Sequence, residues 1–297
     1  MSDAEIRALR IKLASIPRSD DYRQRRKDID ARSLQYGLAP DVAVEPVSAN
    51  GVRAEWTSTP QTDRDAALLF LHGGGFVIGS LDSHRHLVSE AGRAAGASAL
   101  ALDYRLAPEH PFPAAVEDAV SGYRFLLSRG YPPGRIAIAG DSAGGGLVVS
   151  AMIAIRDAGL ATAGPRLVHL ALGGSGSDGR DDVDKGRSRP DCAKSGHPRY
   201  GARLYLNGYD PRSPLASPIY ADLTGLAPLL IQVGAAETLL DDAIRLARVA
   251  GAADVRVDLQ IWPEMIHVWH LFHPELKAGL RAIEQGGSLV SAMIATR

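Results

Sequence analysis

Hydrophobic positions change period once along this chain, and the change divides it in two. Over residues 4–14 apolar side chains recur at helical spacing with charges between them. A more polar helical stretch follows over 20–38 and is closed by Gly37 and Pro40. From Val42 the period becomes two: residues 42–47 and 52–56 alternate around Asn50-Gly51, a dipeptide that favours a tight hairpin turn. Beyond it lie short apolar runs at 66–71, 97–102, 135–139, 167–172, 228–233 and 255–261. Helical patterns stand between them, at 81–95, 114–129, 145–158 and 240–250. Apolar strands alternating with helices predict an α/β fold with a mostly parallel central sheet and helices on both faces. In such a sheet reactive groups collect at the carboxyl ends of the strands.

Composition narrows the function classes. The chain has 297 residues, enough for one large α/β domain. Its 33 basic and 34 acidic side chains leave a formal net charge of −1, which argues against nucleic acid or an anionic membrane as partner. Cys192 is the single cysteine, so no intrachain disulfide forms. Residues 1–20 lack the uninterrupted apolar core of a signal peptide. No stretch approaches the roughly 18 apolar residues of a membrane span. The expectation is a cytoplasmic enzyme.

Two glycine-rich turns carry the chemistry. The strand at 135–139 runs into Gly140-Asp141-Ser142-Ala143-Gly144, a G-x-S-x-G match, and a helix follows. A turn this sharp needs glycine two positions before and after the serine, and it lifts the Ser142 hydroxyl above the sheet. The strand at 66–71 runs into His72-Gly73-Gly74-Gly75-Phe76. There the backbone can approach a substrate without side-chain obstruction. Amides of Gly73 and Gly74, with that of Ala143, are the expected donors to an oxyanion. His72 is expected to anchor this loop by hydrogen bonds.

A serine nucleophile at such a turn needs a base and an acid further along, in the order Ser, acid, His. His267 follows the strand at 255–261 and is the candidate base. His270 and His273 recur every three residues after it, as solvated or capping histidines do, and no H-E-x-x-H spacing suggests a metal. The acid should follow the strand at 228–233. Glu237 is nearest the strand end, with Asp241 as the alternative; at a helix start, a carboxylate at Asp241 also suits capping.

These residues resemble the bacterial hormone-sensitive-lipase-like esterases, a family of α/β-hydrolases. The matching blocks are His72-Gly-Gly-Gly-Phe76, the run from Asp103 to Ala115, Gly140-Asp-Ser-Ala-Gly-Gly145, Pro214-Leu-Ala-Ser-Pro218 and Met265-Ile-His-Val-Trp269. The resemblance implies a catalytic Ser142 and His267 and an oxyanion hole from Gly73, Gly74 and Ala143. Its acid position aligns with Glu237, where aspartate is the commoner occupant. It further implies a helical cap from residues 1–45 over a catalytic domain at 46–297, and it allows a homodimer. Between 173 and 199 the chain departs from the family: a Gly, Asp and Arg mixture replaces the usual cap stretch, as a local shift of reading frame would leave. Residues 173–210 are therefore expected to be a cap-region loop insertion without packed helix over 180–195.

The function expected from this set is a serine carboxylesterase acting on short acyl esters of small molecules through an acyl-enzyme, without cofactor or metal. Hydrolysis of a related acyl bond, such as an aryl amide, is the enzymatic alternative. A fold that binds a ligand but has lost catalysis is the other.

Overall fold

The computed structural model describes residues 3–17, 19–161, 169–170 and 198–295. Two helices come first, α1 (Asp3–Ala14) and α2 (Tyr22–Ser33). The hairpin of β1 (Ala43–Ala49) and β2 (Val52–Ser58) follows. Its two-residue turn has φ of 52° at Asn50 and 92° at Gly51, so Ala49 pairs directly with Val52. The alternating part is β3 (Asp63–Leu71), α3 (Leu81–Ala95), β4 (Ala97–Leu102), α4 (Ala114–Ser128), β5 (Ile136–Gly140) and α5 (Ala143–Asp157). Then come β6 (His169–Leu170), α6 (Pro198–Leu206), β7 (Leu229–Gly234), α7 (Leu240–Ala252), β8 (Val257–Trp262) and α8 (Lys277–Ala295).

The strands form one ladder in the order β1-β2-β4-β3-β5 and a second in the order β6-β7-β8. β1, β2 and β4 pair antiparallel, while β4-β3-β5 and β6-β7-β8 are parallel. This is the mostly parallel sheet with helices on both faces expected from the apolar runs. Its central strands are buried on both faces because successive side chains alternate between two cores. Leu69, Leu71, Leu100, Leu102 and Ile138 join residues of α4, α5 and α7 on one face. Leu68, Phe70, Ala99, Ala101 and Ala137 join α3 and α8 on the other. A smaller cluster packs Ile6 and Leu9 of α1 against Met265, Trp269 and Leu276.

The departure at 173–199 falls on residues outside those described, apart from Pro198 and Arg199, which open α6. The expectation of an unpacked insertion lies outside the described residues over 173–197, whereas within 198–210 the chain forms α6 with Tyr205 and Leu206 buried, so that part is not a loop. Of the strand expected at 167–172, His169–Leu170 is described, as β6.

Candidate active site

The turn between β5 and α5 places Ser142 at φ 53° and ψ −123°, a region that non-glycine residues rarely occupy. A Cβ on Gly144 would stand 1.9 Å from the backbone oxygen of Leu71, so only glycine lets α5 start this close to β3. Ser142 is therefore aimed by backbone geometry, at the carboxyl end of the central sheet.

His267 lies on the loop after β8. Ser142 Oγ donates to His267 Nε2 at 2.7 Å, and His267 Nδ1 donates to Glu237 Oε2 at 2.5 Å. Glu237 follows β7, is buried, and accepts from the Gly234 amide through its other oxygen at 2.7 Å. The three side chains expected from the sequence thus stand in one hydrogen-bonded line. Asp241 is exposed in the first turn of α7 and takes no part in it. Val268 takes φ 51°, an unusual backbone for a β-branched residue, directly after the histidine it helps to aim.

The glycine loop is held mainly through its carbonyl oxygens. Tyr104 donates its hydroxyl to the His72 carbonyl at 2.7 Å, with the Tyr104 and His72 rings stacked 4.3 Å apart. His72 Nδ1 donates to the Gly73 carbonyl at 2.8 Å, and the amides of Val77 and Ile78 donate to the Gly74 carbonyl. Burial pushes the His72 imidazole down to about 4, so it is neutral at working pH. It anchors the loop as expected.

Gly73 departs from expectation. Its amide, read from the sequence as an oxyanion donor, donates instead to Asp141 Oδ1 at 2.9 Å. An N–H committed to a buried carboxylate is not available to a substrate oxygen. Among the described residues, the amides of Gly74, Gly75 and Ala143 donate to no other group. Ala143 also opens α5, where the helix dipole favours negative charge.

His270 departs too. It is fully buried in a 3-10 turn (Trp269–Phe272) and its Nε2 donates to Gln232 Oε1 at 3.0 Å, so it is a core histidine and not a solvated one. His273 stacks on His86 at 5.5 Å. Among the described residues no group of three or more His, Cys, Asp or Glu side chains is placed to hold a metal ion.

Residues that sequence reasoning passed over include Asp141, visible only as the unspecified position before the serine, and Tyr104 and Arg26. Arg26 of α2 donates through Nε to the Val77 carbonyl at 2.7 Å and through Nη2 to the Ala107 carbonyl at 2.9 Å, and it pairs with Glu109. No local pattern marks any of these three for that role.

A family model described as alpha/beta hydrolase fold matches residues 68–271. An acetyl-hydrolase of Streptomyces hygroscopicus is 45% identical over 277 residues, covering 91% of this chain and 92% of that protein. Among solved structures, an esterase from the bacterial hormone-sensitive lipase family shares 44% identity at a TM-score of 0.90, over 99% of this chain and 98% of its own. The esterase EstE5, in a crystal soaked with p-nitrophenyl butyrate, shares 43% identity at a TM-score of 0.91. That match covers 98% of this chain and 99% of EstE5.

Proposed function

This chain belongs to the α/β-hydrolase fold family, among the bacterial hormone-sensitive-lipase-like esterases, and from that premise we propose that it cleaves short acyl esters with Ser142 as nucleophile. The observation that carries the assignment is the unbroken line Ser142–His267–Glu237. As Ser142 Oγ bonds to the ester carbonyl carbon, its proton passes to His267 Nε2. Glu237 holds the ring in the required tautomer and stabilises the imidazolium. The amides of Gly74, Gly75 and Ala143 take the oxyanion. The intermediate then expels the alcohol, which takes the proton from His267. A water activated by the same nitrogen releases the acid and restores Ser142. Only the neutral imidazole of His267 can take the Ser142 proton.

Short acyl groups are supported by the names of two relatives, an acetyl-hydrolase and an esterase soaked with a butyrate ester. The intact line of three side chains favours catalysis over a binding-only role. Residues 1–45 serve as a cap: α2 is fastened to the loop behind the glycines through Arg26. On the far side a Cβ on Gly201 of α6 would lie 3.4 Å from the Gly75 carbonyl, so α6 also borders the loop. A homodimer belongs to the same proposal, supported by the outer strand β8, where Ile261 is exposed. So does action in the cytoplasm; no described helix is long and apolar enough to cross a membrane.

Release of nitrophenol from p-nitrophenyl esters, acetyl to dodecanoyl, tests the assignment with the native chain and Ser142→Ala. Turnover should peak at butyryl or hexanoyl and disappear in the variant. Activity retained by Ser142→Ala would exclude this nucleophile.

A further inference from the structure

Asp141 precedes the nucleophile in the chain, yet its carboxylate points away from it and is 2% exposed. Burying a carboxylate is costly unless its oxygens are bonded and its charge is met. Oδ1 accepts from the Gly73 amide at 2.9 Å, and Oδ2 lies 3.3 Å from Nε2 of the equally buried His84. Burial alone would raise the pKa of this carboxyl. His84, His72 and the Gly73 amide outweigh it and hold the group below the usual carboxylate range, so it is ionised.

We propose that Asp141, held by His84, is a positioning residue that sets the oxyanion loop: by binding the Gly73 amide it registers Gly74 and Gly75 against Ser142. The inference rests on the esterase reading above and specifies which group fixes its oxyanion donors.

The packing supports this independently of the hydrogen bonds. A Cβ on Gly73 would stand 2.2 Å from Asp141 Oδ2, so loop and carboxylate are in the closest contact that glycine allows. His84 is itself fixed in the first turn of α3, where its Nδ1 meets Ser83 Oγ at 2.8 Å. Ser83 shares a capping box with Ser80, and the Ser80 hydroxyl donates to Asp30 of α2 at 2.6 Å. The carboxylate is thereby tied to two helices as well as to the loop. The other titratable groups around the pair are His72, Tyr104, Asp103, His86 and Asp30. None of them bonds the Gly73 amide.

Oxyanion donors act on charge that develops only in the transition state. A loosened loop therefore lowers kcat and leaves KM nearly unchanged, whereas general damage to the fold moves both together with the melting temperature. A trifluoromethyl ketone, whose adduct with Ser142 carries an oxyanion, reports on the same donors without turnover.

The test compares Asp141→Ala with Asp141→Asn. With the alanine variant, kcat should fall by roughly a hundredfold and ketone affinity in parallel. KM should stay within about threefold of the native value. The asparagine variant keeps an oxygen for Gly73 and places an amide beside His84, so it should recover to within about tenfold of native kcat. Native kcat in Asp141→Ala, a change in KM alone, or equal loss in both variants would each overturn the proposal. If Asp141→Ala does not fold, His84→Gln carries the test: kcat and ketone affinity should fall together, and an unchanged kcat would overturn it. Ser142→Ala, assayed alongside, separates the two levels. Activity surviving there defeats the nucleophile assignment, whereas a normal Asp141→Ala defeats only the positioning role.

Discussion

Glu237 stands where the resemblance favours aspartate, and the extra methylene is put to use. One carboxylate oxygen binds His267 and the other reaches back to the Gly234 amide at the end of its own strand. Removing its charge while keeping its shape, as in Glu237→Gln, should lower kcat by roughly a thousandfold or more, with the ring free to adopt the wrong tautomer. Asp241→Asn, on the exposed first turn of α7, should leave kcat unchanged, and steady-state assays of the two variants decide between the carboxylates. At this scale Ser142, His267 and Glu237 were legible because each sits at a fixed offset from a strand end. The pairing of Gly73 with Asp141 was not. Which amides of a three-glycine run face the substrate depends on backbone angles, such as the φ of 124° at Gly74, that composition does not encode. The burial of His270 is hidden from the sequence for a related reason, since a period of three does not reveal that Gln232 meets it inside the core.

Among the elements, the strands, the central helices and the two N-terminal helices followed their sequence patterns, and the C-terminal helix did not. α8 (Lys277–Ala295) went unread because Gly286-Gly287 breaks its pattern. The structure supplies the reason: a Cβ on Gly287 would lie 2.3 Å from the backbone of Ala94, so α8 needs glycine to pack on α3. α2 is strongly polar and has little apolar face to bury. Polar contacts hold it instead, above all Arg26 on two backbone carbonyls and Glu109. Arg26→Ala should remove about 1–2 kcal/mol of stability, because it leaves those carbonyls without a charged donor. Limited proteolysis should then cut faster between 15 and 40, and KM for the butyryl ester should rise as the cap loosens. Unchanged cleavage and KM would show that α2 is held by its other contacts.

For the whole molecule, the buried histidines set an acid limit separate from catalysis. His72, His86 and His273 are each pushed by burial from 6.5 down to about 4. A group whose folded value is depressed in this way binds fewer protons folded than unfolded at every pH between the two values. Stability therefore rises with pH across that window and is lost as pH falls from about 6.5 towards 4. For His72 alone the gap corresponds to roughly 3 kcal/mol of stability at neutral pH. His86 and His273 stack on one another, so their protonations are coupled and their contributions do not simply add. Asp141, held below the usual carboxylate range, acts in the same direction at still lower pH, where its protonation would release the Gly73 amide. Tm and activity followed together from pH 7.5 to 4.5, with samples returned to pH 7.5 before a second assay, test this limit. Tm should drop by several degrees below pH 6, and activity lost under those conditions should return only in part. A flat Tm with full recovery would contradict the neutral, buried state of these three histidines.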